Sequence, residues 1–509
     1  MISLYGVNPY LPSYEYVPDG EPRVFGDRVY LYGSHDRFHG AHFCLNDYVC
    51  WSAPVAHPGQ WRYEGVIFRK DQDPRNQNIP EDAPPAKAGI GIEDRVAGDL
   101  NAPGVHAMWA PDVTQGADGR YYLYYCLDWL PEIGVAVCDE PAGKYEFLGF
   151  VRHADGRILG QAEGDKIQFD PGVYVDDDGS AYLYSGNASR DLKRPNDRAM
   201  SQVMRLSSDM VTLLEEPRKL LPDLWDSAGT GYEGHEFFEA SSIRKIGDRY
   251  ILVYSSVQSH ELCWAESRYP DRDFRFGGTL VDIGDVFLNG RGAEEAVAPL
   301  GNTHGGIAYL NGDWYVFYHR QTNQTQYSRQ ACAEKLVMDA QGNFLQSEVT
   351  SCGLHGGPLD AEGVWPARIA CILRRGNRAV FSHPASTRGV EPYMTQDLPD
   401  IGPSEMLSVL DDVEPVQYIA NFTDECEAGY RYFRMQDKCR LVLEIRGSAE
   451  GVLEAATDEG VCGKMDIRLN AGTWEKHEMT VQLPRGVHPL YLRYHGKGAM
   501  DIRTFAFRA

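Results

Sequence analysis

The sequence has no long hydrophobic run and comparatively little positive charge. No apolar stretch approaches the roughly 20 residues that cross a bilayer, and the N-terminus, MISLYGVNPYLP, lacks a basic region followed by a long apolar segment. Lysine and arginine number 49 against 73 aspartate and glutamate residues, for a net charge of -24. Such a field repels phosphate backbones and anionic membrane surfaces. We therefore expect no nucleic-acid partner, no membrane partner and no secretion signal.

Several local signatures are also missing. The 11 cysteines are scattered and include no C-x-x-C pair, which fits a reducing compartment better than a disulfide framework or a zinc site. A cytoplasmic location is therefore predicted. The absence of a Gly-x-Ser-x-Gly elbow argues against a serine hydrolase of that class. The lone Gly89-Ile-Gly91 pair precedes no helical pattern, so nucleotide binding is not supported.

Glycine and tyrosine are abundant instead, with 52 and 30 residues. A turn followed by an aromatic strand recurs five times, and each copy begins with two residues that tolerate the backbone of a tight hairpin turn. The five turns are Gly26-Asp27, Asp118-Gly119, Asp178-Gly179, Gly247-Asp248 and Asn311-Gly312. Alternating aromatic and aliphatic residues follow each turn, which predicts a hairpin with a buried or half-buried second strand.

The spacing of these turns indicates the architecture. Successive turns lie roughly 60 to 92 residues apart, which is normal for sheet repeats that carry long loops. Five such units predict an all-β fold in which residues 1–345 form a five-bladed β-propeller. An irregular β-sandwich with ordinary hairpins is the alternative that the pattern leaves open.

The pattern changes after about residue 345. Residues 346–394 are rich in glycine, cysteine and proline, and we interpret them as a connecting segment packed on the propeller. Short alternating strands follow, such as Leu441–Ile445, Met479–Leu483 and Pro489–Tyr494, with glycine or proline turns between them. They predict a C-terminal β-sandwich, of jelly-roll type, over residues 395–509.

Three acidic residues share one position relative to the repeats. Asp19 in VPDGEP, Asp170 in QFDPG and Glu239 in FFEASS each precede a predicted turn by about eight residues. Equivalent places in three blades would direct three carboxylates into one cavity. Hydrolysis of a glycosidic bond needs one carboxylic acid to protonate the leaving oxygen and one carboxylate to activate water. The alternative is that each acid only caps a turn.

Over roughly residues 5 to 340 the sequence resembles glycoside hydrolase family 43, whose members are five-bladed propellers. The resemblance implies that Asp19 is the general base, that Asp170 raises the pKa of the acid and orients it, and that Glu239 is the general acid. Two positions depart from the family pattern. Gly20 stands where proline usually follows the base, and Ala240-Ser241 stand where many members have Gly-Pro.

The same resemblance implies two further site residues, His304 and Arg329, and the chemistry of aromatic rings suggests a third, Trp109. His304, in NTHGG, matches a histidine on the propeller axis that in several members lies at a calcium or other ion, so a structural calcium ion is an expectation, whereas no cofactor is required for the reaction. Otherwise His304 is a buried, hydrogen-bonded histidine. Arg329 matches an arginine that touches substrate and the catalytic acids; an edge salt bridge to Glu334 is its alternative. Trp109 is expected to stack on a sugar, and Trp51 to belong to the core.

The C-terminal residues resemble family 6 carbohydrate-binding modules through Gly429–Phe433, Gly472-Thr-Trp474 and Gly486–Tyr491. Those aromatic residues could form a sugar platform or a structural core, and both interpretations stay open.

The resemblance to glycoside hydrolase family 43 implies an inverting, exo-acting α-L-arabinofuranosidase that releases arabinose from arabinoxylan- or arabinan-derived oligosaccharides. The segments that resemble this branch of the family are the Asp-Gly-Glu-Pro opening at Asp19, the Phe-Glu-Ala segment around Glu239 and the stretch from Thr350 to Leu359. The partner is then a small oligosaccharide. A β-xylosidase or dual pentosidase is the close alternative, because both sugars present similar hydroxyl groups to the same carboxylates. A non-catalytic carbohydrate-binding protein and a fructan-active propeller of the retaining type are the remaining hypotheses.

Overall fold

The computed structural model describes residues 5–38, 40, 42–77, 106–128, 130–193, 200–377, 391–397, 416–436 and 440–508. Gly89 and Gly91 lie outside them. Within these ranges the regular elements are strands and short 3-10 turns. The 3-10 turns are Lys70–Gln72, Pro74–Asn76, Leu288–Gly290, Ala293–Glu295, Gly353–His355 and Ala367–Ile369. A helix long and apolar enough to span a bilayer does not occur in the described residues.

The first two thirds of the chain form five antiparallel sheets in chain order. Blade one contains β1 (Glu21–Phe25), β2 (Arg28–Tyr32), β3 (Tyr48–Pro54) and β4 (Arg62–Phe68). Blade two contains β5 (Met108–Gln115), β6 (Tyr121–Leu127), β7 (Ile133–Cys138) and β8 (Glu146–Phe150). Blade three contains β9 (Gly172–Val175), β10 (Ala181–Ser185), β11 (Gln202–Leu206) and β12 (Arg218–Lys219). Blade four contains β13 (Phe237–Ile246), β14 (Arg249–Ser256), β15 (Glu261–Ser267) and β16 (Arg275–Asp282), and blade five β17 (Ile307–Leu310), β18 (Asp313–Gln321) and β19 (Arg329–Leu336).

The five predicted turns are confirmed, since each joins the first and second strands of one blade. The first strands contact those of neighbouring blades, so they lie innermost around the axis. The predicted five-bladed propeller is thereby confirmed.

A buried tyrosine ends the aromatic pattern on the second strand of every blade, at Tyr32, Tyr124, Tyr184, Tyr254 and Tyr318. Three of their hydroxyl groups donate to a carbonyl oxygen of the next blade, at Pro141, Met210 and Pro270. Burying the ring stabilises the stack of sheets, and the hydrogen bond satisfies the polar end of the side chain.

The N-terminal segment closes the ring beside β19. Tyr10 N–H donates to the Ala331 carbonyl oxygen over 3.2 Å. The Asn8 amide donates to the Ala333 carbonyl oxygen over 2.9 Å and accepts from the Ala333 N–H over 3.0 Å. The first and last parts of the propeller sequence are therefore held together at the fifth blade.

The rest of the chain forms a second all-β unit. Its strands are β20 (Leu359–Asp360), β21 (Gly363–Pro366), β22 (Ile372–Arg375), β23 (Tyr393–Gln396), β24 (Gln417–Phe422), β25 (Cys426–Met435), β26 (Arg440–Thr457), β27 (Gly460–Thr480) and β28 (Gly486–Arg508). They form one hydrogen-bonded network around an apolar core that includes Trp365, Phe433 and Phe505. The predicted strands lie within β26 and β28, and the third, starting at Met479, overlaps the end of β27.

The segment interpreted as a connector, residues 346–394, contributes to this sheet. Strand β20 pairs with β25, β21 with β28 and β22 with β25. Leu359 and Trp365 are buried in the C-terminal core, which explains the pairing of so short and glycine-rich a segment. The segment also touches the propeller, since Leu373 N–H donates to the Val297 carbonyl oxygen over 2.9 Å.

The aromatic residues of the carbohydrate-module resemblance are engaged within the protein. Phe433 is fully buried in the core. The guanidinium groups of Arg446 and Arg503 lie 4.4 and 4.8 Å from the Trp474 ring centre. The Tyr432 hydroxyl donates to Glu348 Oε2 over 2.6 Å. These contacts favour a structural use of the three rings.

Glu334 is a buried carboxyl at the closure of the ring. Its Oε1 accepts from Asn8 Nδ2, Thr350 N–H and the Tyr318 hydroxyl over 2.9, 2.7 and 3.1 Å, and its Oε2 lies 2.6 Å from Thr350 Oγ1. Burial raises the pKa of Glu334 from 4.5 to about 8. Near pH 7 the folded protein therefore holds this group largely protonated.

Replacing Glu334 by glutamine is expected to make stability less sensitive to pH. The pKa of Glu334 is higher in the folded chain, so its contribution is full below pH 4.5 and is lost as the pH rises toward about 8. Between pH 5 and 8 the wild type should lose about 1 kcal/mol of unfolding free energy per pH unit relative to the glutamine variant. Urea unfolding across this range measures it. If the unfolding free energies of the wild type and the glutamine variant changed with pH in parallel, the prediction would be contradicted. Glu450→Gln, at an exposed position, is the control.

Candidate active site

The site is built from one repeated position at the same end of the innermost strands. Asp19 precedes β1, Trp109 lies near the start of β5, Asp170 precedes β9, Glu239 lies near the start of β13, and His304 precedes β17. Because the innermost strands surround the axis, these five side chains belong to one layer at the same end of the propeller. All are buried except Trp109, which is partly exposed.

The backbone of this layer is strained. Asp19, Ala110, Asp170 and Ala240 have φ values of 56°, 33°, 45° and 71°, in a region that costs non-glycine residues about 1–2 kcal/mol each. The register also shifts between Trp109 and Asp112 and on both sides of Glu239. Such bulges redirect side chains next to functional sites. The left-handed backbone at Ala240 is also a physical reason for glycine at this position in many family members.

Asp19 lies against a permanent cation. Arg329 Nη1 donates to Asp19 Oδ1 over 3.0 Å, and the same guanidinium holds Asp36 through two further bonds of 2.9 and 3.0 Å. Burial by itself would raise the pKa of Asp19, but Arg329, together with His319, His304 and a hydrogen bond from Ser34, outweighs burial, and the pKa is lowered from its usual value. Asp19 is therefore ionised at neutral pH, as a general base must be.

His319, on β18, orients the backbone of Asp19. Its Nδ1 accepts the Asp19 N–H over 3.1 Å, which places the ring proton on Nε2 when the imidazole is neutral. Burial lowers the pKa of His319 to about 3. The ring is therefore neutral at pH 7, where Arg329 is the permanent cation beside Asp19.

Asp170 and His304 are neighbours across the axis. His304 Nδ1 lies 3.6 Å from Asp170 Oδ2. Burial lowers the pKa of His304, whereas Asp19 and Glu21 act in the opposite direction. His304 is thus close to the carboxylates of both Asp19 and Asp170, and links blades one, three and five.

Glu239 joins the same layer from blade four. Asn187, which follows β10, donates through Nδ2 to Glu239 Oε2 over 3.2 Å. Strands β9 and β13 touch beside the two acids, since a Cβ on Gly172 would lie 2.1 Å from the Ser241 carbonyl oxygen. Gly172 and Ser241 each lie two residues beyond a candidate acid, so Asp170 and Glu239 lie on adjacent, closely packed strands.

An aromatic group lies beside the carboxylates. The Trp109 ring meets Phe43 and Phe169 edge to face, with ring centres 5.9 and 5.5 Å apart. Phe43 also contacts Tyr327 at 4.7 Å and lies over the Arg329 guanidinium at 4.7 Å. Rings of this kind can stack on sugars while excluding water from ion pairs below them.

The calcium ion expected at His304 can be compared with the donors present. Calcium takes roughly six to eight oxygen ligands, and His304 offers a nitrogen. In the described part of the chain, the group of three side chains able to hold a metal is His235, Glu261 and Cys263. Glu21, whose charge reaches His304, already binds Arg244 and Ser242. This donor set does not suit calcium, and no step below passes through a metal.

The structure thus brings all six sequence-predicted site residues to one end of the propeller. The alternative salt bridge between Arg329 and Glu334 is not formed, because each has other partners. Trp51 lies in the blade-one core, as expected. Sequence reasoning missed His319, Asp36 and Asn187. His319 lies inside an aromatic strand and carries no local signal, whereas Asp36, in the polar Ser34-His35-Asp36 after β2, could have been noticed.

Comparison with known proteins identifies the family of the chain. Residues 93–344 match the family described as "Glycosyl hydrolases family 43". The chain is 45% identical to a xylosidase/arabinosidase of Thermoclostridium stercorarium over 98% of both chains. It is 29% identical to a beta-xylosidase of Xylanibacter ruminicola, over 65% of this chain and 96% of that protein. It is 25% identical to an arabinoxylan arabinofuranohydrolase of Paenibacillus polymyxa, over 81% of this chain and 62% of that protein.

Carboxylates on neighbouring innermost strands supply the groups that glycosidic-bond hydrolysis needs, and the family match defines the chain as a glycoside hydrolase. The extent of the match to the Thermoclostridium protein makes the assignment specific. The chain belongs to glycosyl hydrolases family 43.

Proposed function

We propose that the protein is an exo-acting, inverting α-L-arabinofuranosidase acting on oligosaccharides derived from arabinoxylan or arabinan. The observation that carries the proposal is the single layer of carboxylates, in which Asp19 is paired with the buried Arg329. Arg329 keeps Asp19 ionised, as a base must be, whereas Glu239 lies in different surroundings and can serve as the acid. Hydrolysis of this kind requires both groups.

In the proposed reaction Asp19 accepts a proton from water as the water attacks the anomeric carbon. Glu239 donates a proton to the leaving oxygen, and Asp170 orients the acid and keeps its pKa raised. Arg329 holds Asp19 ionised, and the N–H bond to His319 fixes its position. Trp109 and Phe43 give the sugar an apolar surface. Attack from one side and protonation from the other invert the anomeric configuration.

The choice of sugar is tested with two aryl pentosides. We expect 4-nitrophenol release from the α-L-arabinofuranoside with a higher kcat/KM than from the β-D-xyloside. The relatives' names include both activities, so a dual pentosidase is the second candidate. Activity on the xyloside alone would overturn the arabinofuranosidase proposal and establish the β-xylosidase alternative.

Reaction stereochemistry separates the remaining hypotheses. NMR of the first-formed sugar should show inverted configuration at the anomeric carbon. Retention would indicate a carboxylate nucleophile and overturn the assignment of Asp19 as base. Absence of turnover on all pentosides, with glycan binding preserved, would favour a non-catalytic binding protein. The cytoplasmic location also stays a prediction, which cell fractionation tests.

A further inference from the structure

A second polar layer lies directly beyond the catalytic layer along the innermost strands. Glu21 and Arg23 follow Asp19 on β1 by two and four residues. Asp112 follows Trp109 on β5 by three residues, and Arg244 follows Glu239 on β13 by five. Three of these side chains are buried and Arg244 is mostly buried. Two carboxylates and two guanidinium groups thus face one another at the centre of the propeller.

One half of this layer joins blades one and four. Glu21 Oε1 accepts from Arg244 Nη2 over 2.5 Å and from Ser242 Oγ over 2.8 Å. Arg23 Nη2 lies 3.5 Å from the same oxygen. Arg244 also donates to the Pro22 carbonyl oxygen over 2.5 Å. The strand that follows Asp19 is therefore bound directly to the strand that follows Glu239.

The other half extends to blades two and three. Arg23 donates through Nε and Nη2 to the two carboxylate oxygens of Asp112, over 2.8 and 2.5 Å. Arg23 also donates to the Val173 carbonyl oxygen over 2.9 Å, and Asp112 accepts the Val173 N–H over 2.7 Å. Val173 lies three residues beyond Asp170. Hydrogen bonds and the ion pair between Arg23 and Glu21 therefore connect the strands that carry Asp19, Trp109, Asp170 and Glu239.

Blade five contacts this polar layer at Gly306, just before β17. A Cβ on Gly306 would lie 2.6 Å from Ser242 Oγ and 2.7 Å from Glu21 Oε2. The residue must therefore be glycine for the carboxylate to occupy this place, and His304 stands only two residues earlier. The Glu21 carboxylate is near enough to His304 for its charge to act on the imidazole.

The charges of this layer balance without an added ion. A divalent cation beside Glu21 would face the guanidinium groups of Arg23 and Arg244, which repel it and already lie against Glu21 Oε1. We propose that Arg244 takes the place of a central metal ion. Its guanidinium neutralises Glu21 and holds β1 and β13 together, so that Asp19 and Glu239 keep their working separation without calcium. Arg244 is then a positioning residue, and its proposed effect on catalysis rests on the proposed function.

The test compares metal dependence in the wild type and in Arg244→Met. Wild-type kcat is expected to stay within about twofold after EDTA treatment and after calcium chloride addition. In Arg244→Met, Glu21 loses its main cation and the two strands can separate, so kcat should fall about 100-fold, the loss typical of a displacement near 1 Å. Added calcium should then recover at least about a tenth of the lost activity, because a divalent cation can bind the unpaired Glu21.

Two companion variants separate charge from folding. Arg244→Lys keeps a cation and should keep kcat within about tenfold of wild type without calcium. Arg249→Met, on the adjacent strand β14, removes a partly buried arginine paired with Glu266 over 2.9 Å and should leave kcat unchanged. Loss of wild-type activity in EDTA with recovery in calcium would overturn the proposal. The proposal would also be overturned if Arg244→Met kept the kcat of the wild type, or if the lysine and methionine variants lost kcat equally. A kcat of Arg244→Met that does not rise with added calcium would overturn it as well.

A second readout does not depend on the reaction. The thermal unfolding midpoint of Arg244→Met should rise with added calcium, whereas that of the wild type should not change. If the wild type hydrolyses no pentoside, the proposed function fails while this unfolding measurement still decides the role of Arg244. An equal calcium response of both proteins would overturn the metal replacement alone.

Discussion

Asp19→Asn is expected to lower kcat on both aryl pentosides by about 10²- to 10⁴-fold. Asparagine has the same shape as aspartate, and Arg329 remains anchored by its two bonds to Asp36, so the site should stay assembled. Only the base is lost. When wild-type kcat/KM is plotted against pH, its decline on the acidic side should have a midpoint below pH 3.8, the usual pKa of aspartate. The reason is that the pKa of Asp19 is lowered.

Glu239→Gln should show a different dependence on the leaving group. A 4-nitrophenolate leaves readily without protonation, whereas a sugar alcohol does not, so the loss in kcat should be much larger on oligosaccharides than on aryl pentosides. Asp19→Asn should lose activity equally on both. The control is Asp178→Asn, at an exposed turn of blade three. The reverse pattern would exchange the roles of Asp19 and Glu239, and equal wild-type rates in all three variants would remove these acids from the mechanism.

The sequence predicts the propeller well because its signals are local. A turn such as Asp178-Gly179 and the strand after it lie within a few residues, and the turn chemistry and aromatic alternation act independently of the rest of the chain. The same repeats also align Asp19, Asp170 and Glu239. Counting back from the turns is enough to place three acids at equivalent points of three blades.

The parts that sequence reasoning missed depend on contacts between distant residues. Arg244 binds Glu21 across 223 positions of the chain, and Asn8 binds Ala333 across 325. A motif around either partner does not encode such a contact. The strand pairing of the connecting segment depends on such a contact too: β20 has two residues, and its pairing with β25 follows from burial of Leu359 rather than from strand propensity.

The C-terminal unit is bound to the propeller through buried charge. Arg431, on β25, lies with its Nη1 2.6 Å from Asp285 Oδ2 and 3.0 Å from Glu348 Oε1. Asp285 is fully buried and follows β16 of blade four. Val7, from the N-terminal segment, packs in the C-terminal core. From these contacts we expect the two units to unfold together, with the C-terminal unit supporting the propeller.

Arg431→Met is therefore expected to destabilise the whole protein by about 3–5 kcal/mol, because it leaves Asp285 as a buried charge without its cation. Arg434→Met is the matched control on the same strand. Arg434 pairs with Asp360 at the exposed surface, so its loss should change the unfolding free energy by less than about 1 kcal/mol. Urea unfolding monitored by tryptophan fluorescence measures both variants.

Asp285→Asn combined with Arg431→Met provides the decisive comparison. Removing the charge of Asp285, which has lost its cation, should recover part of the lost unfolding free energy. The double variant should therefore be more stable than Arg431→Met alone. A single cooperative transition is expected in every variant. Two separated transitions in the wild type, with pentosidase activity lost only in the first, would show that the propeller and the sandwich are independent and would contradict the supporting role assigned to the C-terminal strands.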